Sequence, residues 1–107
     1  MPLVESATKS QYGTWIEIRL SRLLANLKTL KQHTAPGTEI LSVIKANAYG
    51  HGLIEVAKAV AGQSAYLGVS CIREALEIKE HQIETPVLIF GRILTHEIPA
   101  VLMEGIA

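Results

Sequence analysis

The sequence predicts an α/β fold, the first part of a (β/α)8 TIM-type barrel, with about three β/α units after an N-terminal strand and helix. Three observations carry that reading. Short apolar runs at residues 40–44 (ILSVI), 66–69 (YLGV) and 87–90 (VLIF) look like strands of a parallel sheet buried on both faces. Segments with apolar residues at helical spacing lie between them, as crossovers joining parallel strands require. The strand starts recur every 21 to 26 residues, the length of a β/α unit. Eight units, typically about 250 residues, close such a barrel, so 107 residues correspond to its opening part. A small open α/β domain is the alternative that the pattern leaves.

Each element has its own local reason. Residues 1–13 are polar and unpatterned and read as a loose N-terminal arm, leaving 14–107 as the barrel part. Thr14-Trp15-Ile16-Glu17-Ile18-Arg19-Leu20 alternates apolar and polar residues, the period of a half-buried strand. Ser21 offers an N-cap to a helix carrying Leu23, Leu24, Leu27 and Leu30, which runs to about His33 and stops before the turn Ala35-Pro36-Gly37. After the strand at 40–44, a helix over 53–61 presents Ile54, Val56, Ala57 and Val60 and is closed by Gly62 as a C-cap. After the strand at 66–69, Ser70 caps a helix with Glu74, Ala75, Leu76 and Ile78 that reaches about His81. Pro86 opens the third strand and Gly91 ends it. Thr95 caps a last helix through Leu102 to Glu104, with Pro99 tolerable near its first turn. The final Gly105-Ile106-Ala107 is an apolar step where another strand is expected.

Composition excludes several classes. Ten basic and ten acidic residues balance, so there is no basic stripe for nucleic acid and no like-charge tail. No apolar run approaches the roughly 18 residues of a membrane span. The first residues lack the basic-then-apolar order of a signal peptide. A lone cysteine, Cys71, makes no internal disulfide, which favours a reducing compartment. These features describe a soluble, cytoplasmic chain.

The chemistry concentrates in IKANAYGHG, residues 44–52. Sites in parallel α/β architectures collect at the carboxyl ends of strands, and Lys45 stands at such an end. Partial desolvation there favours the neutral, nucleophilic amine that a Schiff base needs, although a lysine at a strand end ordinarily just reaches water. Gly50 and Gly52 allow a sharp turn and a close approach to a ligand. Gly52 also precedes a helix whose first amides suit an anion. Tyr49 has two readings, a hydroxyl for a phosphate near the amine or an aromatic packed over the strand ends. His51 lacks the partner of a metal or acid–base site and reads as a hydrogen-bonded loop residue; nothing resembles a zinc site. His33, His81 and His96 read as surface residues, and Cys71 as a small filler.

Val43-Ile44-Lys45-Ala46-Asn47-Ala48-Tyr49-Gly50-His51-Gly52 resembles the pyridoxal-phosphate attachment motif of bacterial alanine racemases. Trp15-Ile16-Glu17-Ile18 with Leu20, then Asn26-Leu27, resembles that family's opening strand and helix. Glu74-Ala75-Leu76, Ile83, Pro86, Val87-Leu88-Ile89 and Gly91 resemble its next two β/α units, so the likeness covers most of residues 14–92. The lysine motif is long and specific; the others are weak singly but occur in the expected order.

The resemblance implies a fold-type III pyridoxal 5′-phosphate enzyme with a C-terminal, mostly β domain after the barrel. It implies interconversion of L- and D-alanine for peptidoglycan, and a homodimer in the complete enzyme. Lys45 matches the lysine that holds the cofactor as a Schiff base and then exchanges the α-proton on the D-side face. Tyr49 matches the tyrosine that binds the cofactor phosphate. Val43 lies where the family has a residue near the cofactor ring, and Phe90 where it often has a leucine facing the cofactor. The family's second base, its pyridine-nitrogen arginine and most of its phosphate site map beyond residue 107. The expectation is therefore that this chain alone is incomplete and does not racemise. Three alternatives stay open: another pyridoxal-phosphate amino-acid racemase, a single-domain pyridoxal-phosphate carrier, or a non-enzymatic interaction domain.

Overall fold

The computed structural model describes residues 12–107; of the expected arm, residues 1–11 lie outside the described residues. The chain enters helix α1 (Leu20–Gln32), followed by β1 (Leu41–Val43), a turn over Lys45–Tyr49, and α2 (Leu53–Val60) with a 3-10 turn at Ala61–Gln63. Next come β2 (Tyr66–Val69), α3 (Ile72–Glu80), β3 (Val87–Ile89), a second 3-10 turn at Thr95–Glu97, and α4 (Ile98–Met103).

The three strands form one parallel sheet in the order β1-β2-β3. Its ladder runs past the strand ends: the Ile44 amide donates to Gly68 O at 2.8 Å and the Phe90 amide to Val69 O at 2.8 Å. At the far edge Ala107 donates to Val87 O (2.9 Å) and accepts from the Ile89 amide (2.8 Å), so the expected next strand is started there.

Parallel register places Ser42, Leu67 and Val87 in one row, with Val69 and Ile89 further along the same face. The helices cover that face. Leu67, Val69 and Val87 pack with Val56, Ala57, Val60, Ala75 and Ile78 into the core. Each large apolar side chain buried there contributes about 1.5–3 kcal/mol. Leu20, Leu23 and Leu27 of α1 pack against it, while Leu30 faces outward. The opposite face carries Val43, Gly68 and Leu88 in one row and Tyr66 and Phe90 either side of it. No helix among the described residues covers it, and Val43 (40%), Tyr66 (40%) and Phe90 (53%) remain exposed.

The local structure corrects several expectations. Residues 14–19 form no strand and Leu20 already belongs to α1, because an alternating segment becomes a strand only against a ladder partner, and none is present among the described residues. Ile16 is 76% exposed in consequence. Arg19, not Ser21, is the N-cap of α1, and no side chain caps it. Gly62 is no left-handed C-cap; the chain passes through it in the 3-10 turn. Cys71 is the N-cap residue of α3, one position after Ser70. Thr95 starts a 3-10 turn, where the Leu94 amide donates to Glu97 Oε2 at 2.9 Å, and Pro99 lies in the first turn of α4 as expected.

Candidate functional site

The segment after β1 is wound left-handed. Ala46, Asn47 and Ala48 have φ/ψ of 52/53, 56/42 and 54/46, and Tyr49 has φ 55. L-residues pay about 1–2 kcal/mol each for this conformation, asparagine least, and it is normally seen in single residues. Four in succession persist only when the surroundings fix them. Part of the hold is internal. The Ala48 amide donates to Ile44 O (2.9 Å), the Gly50 amide to Ala46 O (3.2 Å) and Asn47 O (3.1 Å), and the Gly52 amide to Asn47 O (3.0 Å). Gly50 and Gly52, at φ 88 and 101, continue the positive-φ path at no such cost.

The rest of the hold comes from two side chains that the sequence reading did not single out for the site. Asn47 Oδ1 accepts from the Leu53 amide at 2.8 Å, so the turn caps α2 and takes up one of the amides expected to suit an anion. Glu74, 6% exposed on α3, accepts from the Asn47 amide through Oε2 at 3.2 Å. Its Oε1 accepts from the Ser70 amide (3.0 Å) and from Ser70 Oγ. Burial, the largest single influence, pushes the Glu74 carboxyl pKa up. The donors from the Ser70 side chain and from the Ser70, Asn47 and Ala46 backbone together outweigh it and hold the group below its ordinary value. Glu74 is therefore a buried carboxylate surrounded by donors. Sequence did contain a signal: Glu74 sits on the same stripe as Ala75 and Ile78, and a carboxylate on a core-facing stripe needs partners.

Lys45 is half-buried at the start of the turn. Tyr49, 60% exposed, ends it. Among the described residues neither the Lys45 amine nor the Tyr49 hydroxyl has a hydrogen-bond or ion-pair partner. Tyr49 and Val43 meet in a groove of about 380 Å³ between α1 and the open edge of β1, along with His51, Leu23 and Leu27. Phe90 lies on the uncovered sheet face with Val43, its ring beside Gly68. Lys45 and Phe90 do not line that groove, so the four residues do not fill one pocket. His51 takes the loop role expected of it, Nδ1 donating to Ala48 O at 3.1 Å. Cys71 is half-buried, its Sγ 3.8 Å from Glu74 Oε1. Among the described residues no group of three His, Cys, Asp or Glu side chains is placed to hold a metal, and no helix is long and apolar enough to cross a membrane.

The donor set suits one end of pyridoxal 5′-phosphate. A half-buried, uncommitted amine matches its aldehyde, an uncommitted hydroxyl matches a phosphate oxygen, and Val43, Leu88 and Phe90 offer an apolar face to its ring.

Comparison with known proteins shows the family of the chain and its fold. The family model described as "Alanine racemase, N-terminal domain" matches residues 18–107. The alanine racemase of Streptococcus uberis is 42% identical over 89 residues, covering 83% of this chain and 24% of that protein. The crystal structure of alanine racemase from Bacillus anthracis with bound L-Ala-P superposes with a TM-score of 0.82 at 31% identity, over 87% of this chain and 24% of that one. Alanine racemase from Bartonella henselae with covalently bound pyridoxal phosphate superposes at 0.75 and 34% identity, over 83% and 26%. The chain thus spans about a quarter of the length of the curated relatives it matches.

Proposed function

The chain belongs to the alanine racemase N-terminal domain family, and from that premise we propose that it carries the lysine half of a pyridoxal-phosphate-dependent amino-acid racemase. It forms the opening part of a (β/α)8 barrel, with three parallel strands and their helices already in register. Residues 14–107 are read as part of the cofactor-binding barrel domain. The whole reaction is the interconversion of L- and D-alanine, which supplies D-alanine for peptidoglycan, carried out by a cytoplasmic homodimer.

The observation that carries the reading is the left-handed turn, which presents an uncommitted amine and an uncommitted phenol four residues apart at the carboxyl end of a parallel strand. Lys45 Nζ would hold the cofactor, and its amine would take or give the α-proton on one face. When bound, the cofactor supplies the electron sink that makes that proton removable. Tyr49 Oη would donate to a phosphate oxygen of the cofactor. Val43 and Phe90 would give the ring an apolar surface. Racemisation also needs a proton donor on the opposite face, and no residue of this chain is assigned that task.

The test is covalent. Pyridoxal 5′-phosphate is added to the folded chain, the product is reduced with borohydride, and modified lysines are mapped by peptide mass spectrometry. Selective modification of Lys45 is expected. Modification spread evenly over all the lysines, Lys9, Lys28, Lys31, Lys45, Lys58 and Lys79, overturns the reading.

A further inference from the structure

The hydrogen bonds internal to residues 44–52 fix the shape of the lysine turn, but past the Ile44 ladder bond to Gly68 O they do not fix how residues 45–52 sit on the sheet, since their donors and acceptors all belong to the turn itself. The Asn47 side chain ties it forward to α2, which begins the adjacent segment. Beyond the ladder bond from the Ile44 amide to Gly68 O at its first residue, only Glu74 among the described residues hydrogen-bonds the turn from another β/α unit, accepting from the Asn47 amide across 27 residues of sequence. Its other oxygen is fixed to the β2–α3 junction by two donors from Ser70. A displaced carboxylate would move the turn, and with it the direction in which Lys45 leaves the strand.

We propose that Glu74 is the positioning residue for Lys45: its carboxylate, anchored by Ser70, holds the Asn47 amide and thereby sets where the Lys45 amine is presented. This rests on the reading of Lys45 as the cofactor-carrying amine. Both oxygens face donors only. A glutamine must therefore turn its NH2 towards an N–H group or Ser70 Oγ, and one side of the clamp opens. An aspartate keeps the charge and the Ser70 contacts but is one methylene too short for Asn47. The two variants separate positioning from a general benefit of negative charge at the start of α3, which aspartate would restore.

Pyridoxal 5′-phosphate labelling with borohydride trapping is run on the wild-type chain, Glu74→Gln and Glu74→Asp, at matched circular dichroism. The readout is the ratio of Lys45 label to label on the other lysines. That ratio is expected to fall about tenfold in both variants, the factor carried by one hydrogen bond to a charged group. Amide hydrogen exchange at Asn47 is expected to quicken in parallel. A selective wild type with either folded variant equally selective overturns the role of Glu74 and leaves Lys45 standing. An unselective wild type overturns the Lys45 reading, and this proposal with it. Exchange on the wild-type chain needs no variant: an Asn47 amide exchanging as fast as a free loop amide also overturns the clamp.

Discussion

Replacing Gly91 and Gly68 in turn by alanine tests how the end of the sheet is held. A Cβ at Gly91 would stand 2.0 Å from the backbone oxygen of Ser70, whereas ordinary contact begins at 3.4 Å, so about 1.4 Å of separation has to be found. Neither partner yields easily. Ser70 is held by Glu74 through its amide and hydroxyl, and Phe90 by the ladder bond to Val69 O at 2.8 Å. A Cβ at Gly68 is crowded too, at 2.4 Å from Phe90 Cε2 and 2.9 Å from Leu41 Cδ2, but both are side-chain ends and the Phe90 ring is 53% exposed. Overpacking typically costs about 1–3 kcal/mol, so Gly91→Ala belongs at or above the top of that range and Gly68→Ala near the bottom.

Urea unfolding followed by circular dichroism measures both, and a double-mutant cycle separates the causes. Adding Phe90→Ala removes the ring atoms that Gly68→Ala meets and leaves only the end of the Leu41 side chain in its way, so it recovers most of that loss, while leaving the loss at Gly91 unchanged. Equal destabilisation at the two glycines, or recovery of Gly91→Ala by Phe90→Ala, refutes the contact geometry on which the argument stands.

The remaining predictions concern the lysine turn. Asn47→Ala loses the cap on the Leu53 amide and puts alanine at φ 56; a loss of about 1–2 kcal/mol is expected in thermal unfolding, and Asn47→Gly, which loses only the cap, should cost less. Ala46→Gly relieves a left-handed alanine at φ 52 on the exposed side of the turn, and a gain of up to about 1 kcal/mol is expected in the same assay; a clear loss would show the turn to be unstrained there. Glu74 has a folded-state pKa below its ordinary value of 4.5, so its contribution is complete above that value and is lost as the pH falls through the lower, folded value. Stability measured against pH should decline on that acid side in the wild type, and the Glu74 contribution to the slope should vanish in Glu74→Gln.

The sequence made the repeating units legible because their pattern and their energetics coincide. Residues 66–69 and 87–89 are strands since their apolar side chains have helices to pack against, and α2 and α3 form since their apolar stripes have that sheet. Residues 14–19 carry an equally clear pattern and are not a strand, because alternation states what a segment would bury and not whether a ladder partner is within reach. The lysine turn was legible as a motif and illegible as a shape. Local preference argues against left-handed Ala46, Ala48 and Tyr49, and two polar groups reverse that preference: Asn47, which caps the next helix, and Glu74, which arrives from the next unit. Local preference and final structure thus disagree most sharply in the four residues directly after the lysine. That is where a site gains from holding its backbone away from the local minimum, since a relaxed turn at the end of β1 would leave the Lys45 amine to follow solvent. The residue that prevents this is a glutamate on the core-facing stripe of α3, where a carboxylate costs free energy unless donors await it. Here the donors are Ser70 and the backbone of the turn that carries the lysine.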